Sequence, residues 1–183
     1  MKSSLYKKSE KFVIDAFTKS NKPTDVLHAK RTAYWIKQLK PKADEALLVA
    51  GLFHDIERAF YGDWKKGSNN PILLRKHQKM SALEAEKFLK NEKASNDFIK
   101  RVKYLVAHHE EGGDNDQNIL CDADCIAYFK DKALRNAKKH KREGRSKEMV
   151  KKLKYYFSRI SSSKARKISK PFYKKALDVL NEK

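Results

Sequence analysis

Apolar residues recur along the chain every three or four positions, which is the spacing of the buried face of a helix. In residues 5–19, for example, Phe12, Val13, Ala16 and Phe17 form one such stripe. The same spacing predicts further helices over residues 25–40, 43–60, 71–90, 96–109, 118–140, 146–160 and 163–181. No segment alternates apolar and polar residues as a half-buried strand does. The sequence therefore predicts an all-α fold.

Two breaks between the predicted helices are informative. Asn70 followed by Pro71 is typical of a helix N-cap with proline in the first helical position. A basic break around Gly144 separates the last two helices from the rest. At 183 residues the chain has the length of one domain. We expect a core over about residues 24–135 and a basic helical extension over about residues 140–183.

Charge is distributed unevenly along the chain. There are 43 basic and 23 acidic residues, a formal net charge of +20, and residues 130–183 alone hold 20 basic and 5 acidic residues. Such a positive field attracts anions, among them nucleotides, nucleic acids and acidic membrane surfaces, although a solvated lysine-rich face has the same composition. The aromatic residues of this segment are spaced for helix packing at least as well as for base stacking. We therefore expect a small anionic substrate, rather than nucleic acid, as the partner.

Two features bear on the cellular setting. No apolar run approaches the roughly 18 residues that cross a bilayer, and residues 1–8 lack the apolar stretch of a signal peptide. We therefore expect a cytoplasmic protein with no membrane partner. Cys121 and Cys125 are too few for a disulfide framework, and we expect them to be small buried thiols.

The candidate chemistry lies in histidines and aspartates within apolar segments. His54 and Asp55 follow a strongly apolar run, and Asp122 and Asp124 interrupt another, over residues 119–127. Such polar groups are costly to bury without partners, and a divalent cation is a partner that imidazole and carboxylate groups both bind. We therefore expect a metal site. The ion would be Mn, Fe, Co, Ni, Zn or Mg.

The order of these residues resembles that of the HD-domain metal-dependent phosphohydrolase superfamily, which carries a histidine, then a His-Asp pair, then an aspartate. Here the set reads His28, His54 with Asp55, and Asp124. The resemblance implies a bundle of α-helices around a metal ion, with these four residues as its ligands.

Two local signatures carry the resemblance. Residues 52–56 read LFHDI, similar to the family's apolar-apolar-His-Asp-Ile signature. Residues 122–124 read DAD, similar to the family's aspartate-containing helix, in which the second aspartate is usually the ligand. Asp124 is therefore the implied ligand, and Asp122 is the alternative.

Some members of that superfamily bind a second metal through histidines that lie between the His-Asp pair and the final aspartate. The corresponding candidates here are Asp55, His77 and His108, with His109 as the substitute for His108. We favour this two-metal arrangement, with Glu84 or Glu110 as the hydrogen-bond acceptor for an imidazole. The alternative is a one-metal site in which His77 and His108 contact substrate phosphate.

The resemblance implies hydrolysis of a phosphoester or phosphoanhydride, in a nucleotide or another small phosphorylated molecule, by metal-activated water. Asp55 would bridge two metals or orient the water. Arg58, in the place of the family's usual lysine, would bind phosphate. Arg31, Lys65 and Lys66 are further candidates for substrate binding, with a helix-surface position as the alternative for Arg31.

A different class of function stays open. If the site is degenerate, the chain would be a non-catalytic, metal-stabilised module that binds nucleic acid or an acidic partner through its basic C-terminal segment. The full set of ligands argues against this alternative, because a structural metal site needs no open coordination position.

Overall fold

The computed structural model describes residues 4–62 and 70–181, and within these residues the chain is helical, with no strand. The helices, in chain order, are α1 (Leu5–Lys19), α2 (Pro23–Leu39), α3 (Glu45–Phe53), α4 (Arg58–Tyr61), α5 (Pro71–Asn91), α6 (Asn96–Ala107), α7 (Asn115–Tyr128), α8 (Leu134–Arg142), α9 (Ser146–Ser158) and α10 (Ser163–Asn181). The all-α prediction is therefore confirmed for the described part of the chain.

The N-cap predicted before α5 is present. The side-chain oxygen of Asn70 accepts a hydrogen bond of 2.9 Å from the backbone N–H of Ile72, and Pro71 is the first helical residue. This bond satisfies one of the donors that a helix N-terminus leaves without an intrahelical partner. The start of α5, which carries His77, is therefore fixed by local sequence.

The helix predicted over residues 43–60 is interrupted after Phe53. The backbone N–H of Ile56 donates to the carbonyl of Phe53 at 3.0 Å, and Ala59 donates likewise to Ile56, so the chain turns tightly through residues 54–57 before α4 begins. Adjacent residues on a regular α-helix point about 100° apart around its axis. His54 and Asp55 lie in this turn, and both contact His28.

The helix predicted over residues 118–140 is continuous, but it contains a π-helical turn. A π-helical segment, Phe129–Ala133, joins α7 to α8. At its start α7 has a capping box, in which the Asp114 side chain accepts from the backbone of Gln117 and the Gln117 side chain accepts from the backbone of Asp114. π-Helical turns within α-helices are frequent at functional sites.

Two apolar clusters form the core. The first lies among α1, α2, α3, α5, α6 and the start of α7 and includes the fully buried Phe17 and Phe53. The second joins the end of α7 to α9 and α10 and includes Phe129 and Met149. Each such side chain contributes about 1.5–3 kcal/mol when buried. The basic C-terminal helices are thus held to α7 by a core of their own.

The same second cluster contains Cys121 and Cys125, which are free and buried, as expected. Among the described helices, none combines the length and the apolar character that crossing a membrane requires.

Candidate metal centre

Three helices bring two histidines and an aspartate together. His28 lies on α2, His54 follows the last residue of α3, and Asp124 lies on α7. The distance from Asp124 Oδ1 is 3.0 Å to His28 Nε2 and 3.6 Å to His54 Nε2, and the two Nε2 atoms are 3.4 Å apart. All three side chains are at most 5% exposed.

Asp55 lies between this trio and a second pair of histidines. Its Oδ2 is 3.7 Å from His54 Nε2 and 3.9 Å from His28 Nε2. Its Oδ1 is 3.1 Å from His77 Nε2 and 4.0 Å from His109 Nε2. The carboxylate therefore has one oxygen on each side. We call the two sides group A (His28, His54, Asp55 and Asp124) and group B (Asp55, His77 and His109).

Close packing of α2 against α3 brings His28 and His54 together. Gly51 makes this approach possible, because a Cβ at that position would lie 2.5 Å from Ile36 Cδ1 and 3.4 Å from the backbone of Ala33. A larger residue at 51 would have to displace the end of the Ile36 side chain. Gly51 therefore leaves room for the Ile36 side chain where α2 and α3 pack together.

The same local arrangement orients a histidine in each group. His54 Nδ1 lies 2.9 Å from the carbonyl oxygen of Gly51, and His109 Nδ1 lies 2.8 Å from that of Val106. Because a carbonyl oxygen only accepts, each Nδ1 carries a proton and donates it. In the neutral ring, the lone pair of Nε2 then faces the other members of its group, which is the tautomer that binds a metal.

His77 is oriented by a carboxylate. Its Nδ1 is 2.6 Å from Glu57 Oε1, and the Ser81 hydroxyl donates to the other oxygen, Oε2, at 2.7 Å. His77 Nε2 then lies 3.2 Å from His109 Nε2. Two nitrogen lone pairs facing each other at this distance repel, so the arrangement requires a cation between or on them, either a proton or a metal ion.

Charge at the centre shifts several pKa values. Burial disfavours the imidazolium of His77, but hydrogen bonds to Asp55 and Glu57 outweigh it and raise its pKa to about 10. Burial, together with the charges of His77 and His54, lowers the pKa of His109 well below its usual range. Burial works against ionisation of Asp55, yet the neighbouring His54 and His77 hold its pKa well below the usual range. Without a metal, group B therefore carries a proton on His77.

The donor sets of both groups fit a divalent cation. Metal–nitrogen and metal–oxygen bonds of about 2.0–2.2 Å put neighbouring ligand atoms about 3 Å apart or slightly more. The separations from 3.0 to 4.0 Å in the two groups are close to this value. Imidazole mixed with carboxylate suits Mn, Fe, Co, Ni and Zn. Two sets of ligand atoms, His28–His54–Asp55 and Asp55–His77–His109, each lie within 4.8 Å of one another.

A buried arginine from the C-terminal segment, Arg159, contacts Asp124 and the backbone next to His109. Arg159 Nη2 is 3.3 Å from Asp124 Oδ2 and donates to the carbonyl of His109 at 3.1 Å. Its Nη1 is 2.8 Å from Glu110 Oε2, and its Nε donates to the Glu110 carbonyl at 2.9 Å. The side chain of Arg159 is 6% exposed. The basic segment thus contributes a structural residue to the site.

Asp122 does not face the histidines. Its Oδ1 accepts from the backbone N–H of Ser161 at 2.6 Å, and its Oδ2 accepts from that of Ser162 at 3.0 Å. It therefore anchors the turn before α10, and Asp124 is the aspartate of this helix that lies in group A.

His109, rather than the preferred His108, lies in group B. His108 is 43% exposed, and its Nδ1 is 3.8 Å from Glu111 Oε2. Of the two suggested acceptors for an imidazole, Glu84 accepts from the Tyr61 hydroxyl, and Glu110 pairs with Arg159 while its Oε1 lies 3.9 Å from His109 Nε2. Neither contacts His77 Nδ1. Glu57 takes their place.

The predicted substrate-binding residues are placed differently from one another. Arg58 is beside the centre, with Nη1 3.2 Å from Asp55 Oδ2. Arg31 is 47% exposed and its Nε lies 3.9 Å from Asp131 Oδ2, away from both groups. Lys65 and Lys66 lie outside the described residues.

Sequence reasoning did not assign a role in the site to Glu57, Arg159, or the buried pair of Asp25 and Lys132, whose Oδ1 and Nζ are 2.8 Å apart. In the sequence, the one feature that distinguishes Glu57 is its position two residues after Asp55, next to an isoleucine. Nothing in the sequence distinguishes Arg159 from the other basic residues of its segment.

A family model described as a domain of unknown function, DUF4202, matches residues 9–177 of this chain. No curated protein and no solved structure matches it.

Proposed function

Since the chain belongs to the DUF4202 family, whose description assigns no function, we propose a function from its own residues. The protein is a metal-dependent phosphohydrolase of the HD-domain type. It hydrolyses a phosphoester or phosphoanhydride in a nucleotide or another small phosphorylated molecule. Its single-domain organisation and cytoplasmic location stay predictions.

The observation that carries this proposal is the position of Asp55. One of its oxygens lies 3.7 Å from His54 Nε2 in group A, and the other lies 3.1 Å from His77 Nε2 in group B. A carboxylate shared in this way by two buried sets of imidazoles suits two cations held close together. Pairs of metal ions about 3.5–4 Å apart are typical of enzymes that hydrolyse phosphate esters.

The residues of groups A and B would hold the ions, and each supports the reaction through its own contacts. When bound, the ions supply Lewis acidity and lower the pKa of a coordinated water towards neutrality. Arg58 lies within 3.2 Å of Asp55 Oδ2 and is 28% exposed, so its guanidinium is available to a phosphate oxygen beside group A. Arg159 orients Asp124 through its contact at 3.3 Å.

Metal content and a substrate panel test the proposal together. The full chain is stripped of metal, reloaded with Mn, Fe, Co or Ni, and assayed on nucleotides and simple phosphate esters. We expect His54→Ala and Asp55→Ala to abolish hydrolysis and to leave a folded helical protein. The matched control is His140→Ala, because His140 lies on α8 and its Nδ1 contacts the Asn136 carbonyl, away from the centre.

Full activity of either ligand variant after reloading would contradict the proposal. A wild-type protein that binds metal and hydrolyses nothing in the panel would contradict it as well.

A second candidate function, binding of nucleic acid, is supported by one surface. A groove of about 730 Å³ runs along α8 and is lined by Arg135, Lys138, Lys141 and Arg142, with Leu134 and Val179 as its apolar part. Its cations suit a phosphate backbone. If this groove binds RNA, an Arg135→Gln/Lys138→Gln double variant will weaken binding of a short single-stranded RNA and flatten its salt dependence. Asp55→Asn will bind RNA as the wild type does.

A further inference from the structure

Lys152, on α9, is a half-buried cation with no acidic partner among the described residues. Its Nζ lies over two aromatic rings, 5.5 Å from the ring centroid of Tyr128 and 5.7 Å from that of Tyr156. No described carboxylate forms an ion pair with it, in contrast to the many paired lysines of this chain. The aromatic faces give the ammonium some stabilisation, but less than a hydrogen-bonded anion would give.

The position of Lys152 on α9 connects it to the metal centre. Lys152, Tyr156 and Arg159 follow one another at four- and three-residue spacing, so they share one face of the helix. Arg159, the last of the three, contacts group A, with its Nη2 3.3 Å from Asp124 Oδ2. Lys152 therefore lies on the same side of α9, about 10 Å along its axis from Arg159, at 1.5 Å per residue.

Two further cations lie on elements next to Lys152. The Tyr128 ring beneath its Nζ lies one helical turn before Lys132, and Arg58 shares Asp25 with Lys132. Arg58 Nη1 is 3.4 Å and Lys132 Nζ is 2.8 Å from one and the same oxygen of Asp25. Arg58 also contacts Asp55. Arg58 and Lys132 thus have two carboxylates between them, Asp25 and Asp55, whereas Lys152 has no carboxylate partner among the described residues.

The electrostatics of Lys152 agree with this placement. Burial lowers its pKa, and the charges of Arg58 and Lys132 lower it further, against the opposing effect of Glu110 and Asp55. An anion bound among the three cations would remove this mutual repulsion. The site therefore has cationic capacity beyond what its own acidic residues use.

Resting on the proposed function, we propose that Lys152, together with Arg58 and Lys132, binds a second phosphate group of the substrate, beyond the one at the metal centre. The substrate class is then a compound with two or more linked phosphates, such as a nucleoside diphosphate or triphosphate. A monophosphate would leave Lys152 without a partner. The basic C-terminal segment accordingly contributes to substrate selection through one residue, rather than through its general charge.

The test compares two anions by calorimetry on the metal-loaded full chain: imidodiphosphate, a diphosphate that is not readily hydrolysed, and inorganic phosphate. Lys152→Met removes the charge and keeps an unbranched stem over the rings. We expect it to weaken imidodiphosphate binding about tenfold, the loss of one charge-assisted contact, and to leave phosphate binding within about twofold. Lys154→Met, at an exposed position on the same helix, is the matched control and should bind both anions as the wild type does.

Two readouts separate this inference from its premise. Metal content of Lys152→Met should equal that of the wild type, because Lys152 contacts no ligand of groups A or B. Equal losses for both anions, no loss, or the same loss in Lys154→Met would overturn the inference. Because the readout is binding, a protein that binds imidodiphosphate through Lys152 and hydrolyses no substrate would contradict the proposed function alone. A phosphomonoesterase with no preference for the diphosphate would contradict the inference alone.

Discussion

Groups A and B share Asp55 but differ in what surrounds it. Group A adds a second carboxylate, Asp124, which Arg159 holds at 3.3 Å. Each group has two imidazoles, but group B has no second carboxylate, and Glu57 contacts only the far nitrogen of His77, at 2.6 Å. A cation in group A therefore meets two anionic ligands, whereas a cation in group B meets one and competes with the proton that His77 carries.

The centre therefore offers two cation sites that differ in their affinity for a metal ion. We expect group A to bind its ion more tightly and to retain it during purification. Group B should load only when metal is supplied in excess or when the pH favours loss of the proton. The following predictions test that asymmetry.

The largest effect should come from removing the shared carboxylate charge. Asp55→Asn is expected to lower hydrolysis at least about 1000-fold, because several kcal/mol of metal-derived stabilisation is lost and each 1.36 kcal/mol is tenfold. Elemental analysis should show that metal is lost from both groups. Loss from only one group would contradict a bridging role for Asp55.

Removing Arg159 should affect group A and the stability of the whole fold. Arg159→Met leaves the buried carboxylates of Asp124 and Glu110 without their cation, which costs about 3 kcal/mol or more when a buried ion pair loses one partner. The measurement is the free energy of unfolding in urea. Lys167→Met, at an exposed position on α10, is the control and should change stability by less than about 0.5 kcal/mol.

Changing Glu57, the hydrogen-bond partner of His77, should alter metal binding in group B and not in group A. Glu57→Gln is expected to weaken metal binding to group B about 10- to 100-fold, as is usual when the hydrogen-bond partner of a ligating histidine is changed. Group A should stay loaded. His77→Ala should lower the stoichiometry by about one ion with the same sparing of group A. Glu92→Gln, which affects only a surface pair with Lys8, should change neither.

The smallest expected effect is the release of one proton from His77 when an ion binds to group B. Since the pKa of His77 in the metal-free protein is raised to about 10, this residue is protonated at pH 8, and an ion entering group B must displace that proton. Affinity for the second ion should therefore rise with pH up to about 10. Calorimetry in buffers of different ionisation enthalpy will measure the proton released. In His77→Ala this release should disappear.

The sequence predicted group A better than group B, and the reason is local. His28 lies well inside a regular helix, where periodicity predicts the direction of a side chain, and the choice of Asp124 over Asp122 rests on the resemblance to the HD-domain superfamily. His108 and His109 follow the last residue of α6, and the backbone at His108 (φ −128°, ψ 14°) departs from helical geometry. Helical periodicity therefore could not decide which of the two faces inward.

Residues that act from behind the centre were the hardest to predict. Glu57 lies in the tight turn after His54, where the spacing rules of a helix fail. Arg159 is one of 20 basic residues in the last 54 positions, and its burial depends on how α9 and α10 pack against α7. Long-range packing of this kind leaves no local pattern, whereas the all-α fold follows from a repeated one.

The π-helical segment has a consequence for evolution. Lys132 lies eight residues after Asp124, and on a regular α-helix eight residues leave two side chains about 80° apart around the axis. The segment Phe129–Ala133 contains one wider turn, equivalent to a single inserted residue, and Lys132 meets Asp25 beside the centre. A relative whose helix lacks the inserted residue would keep a lysine on this face only seven residues after its aspartate, since seven residues of a regular α-helix leave two side chains about 20° apart. Such a relative would align with this chain through a one-residue gap between α7 and α8 and would still form the Asp25–Lys132 contact.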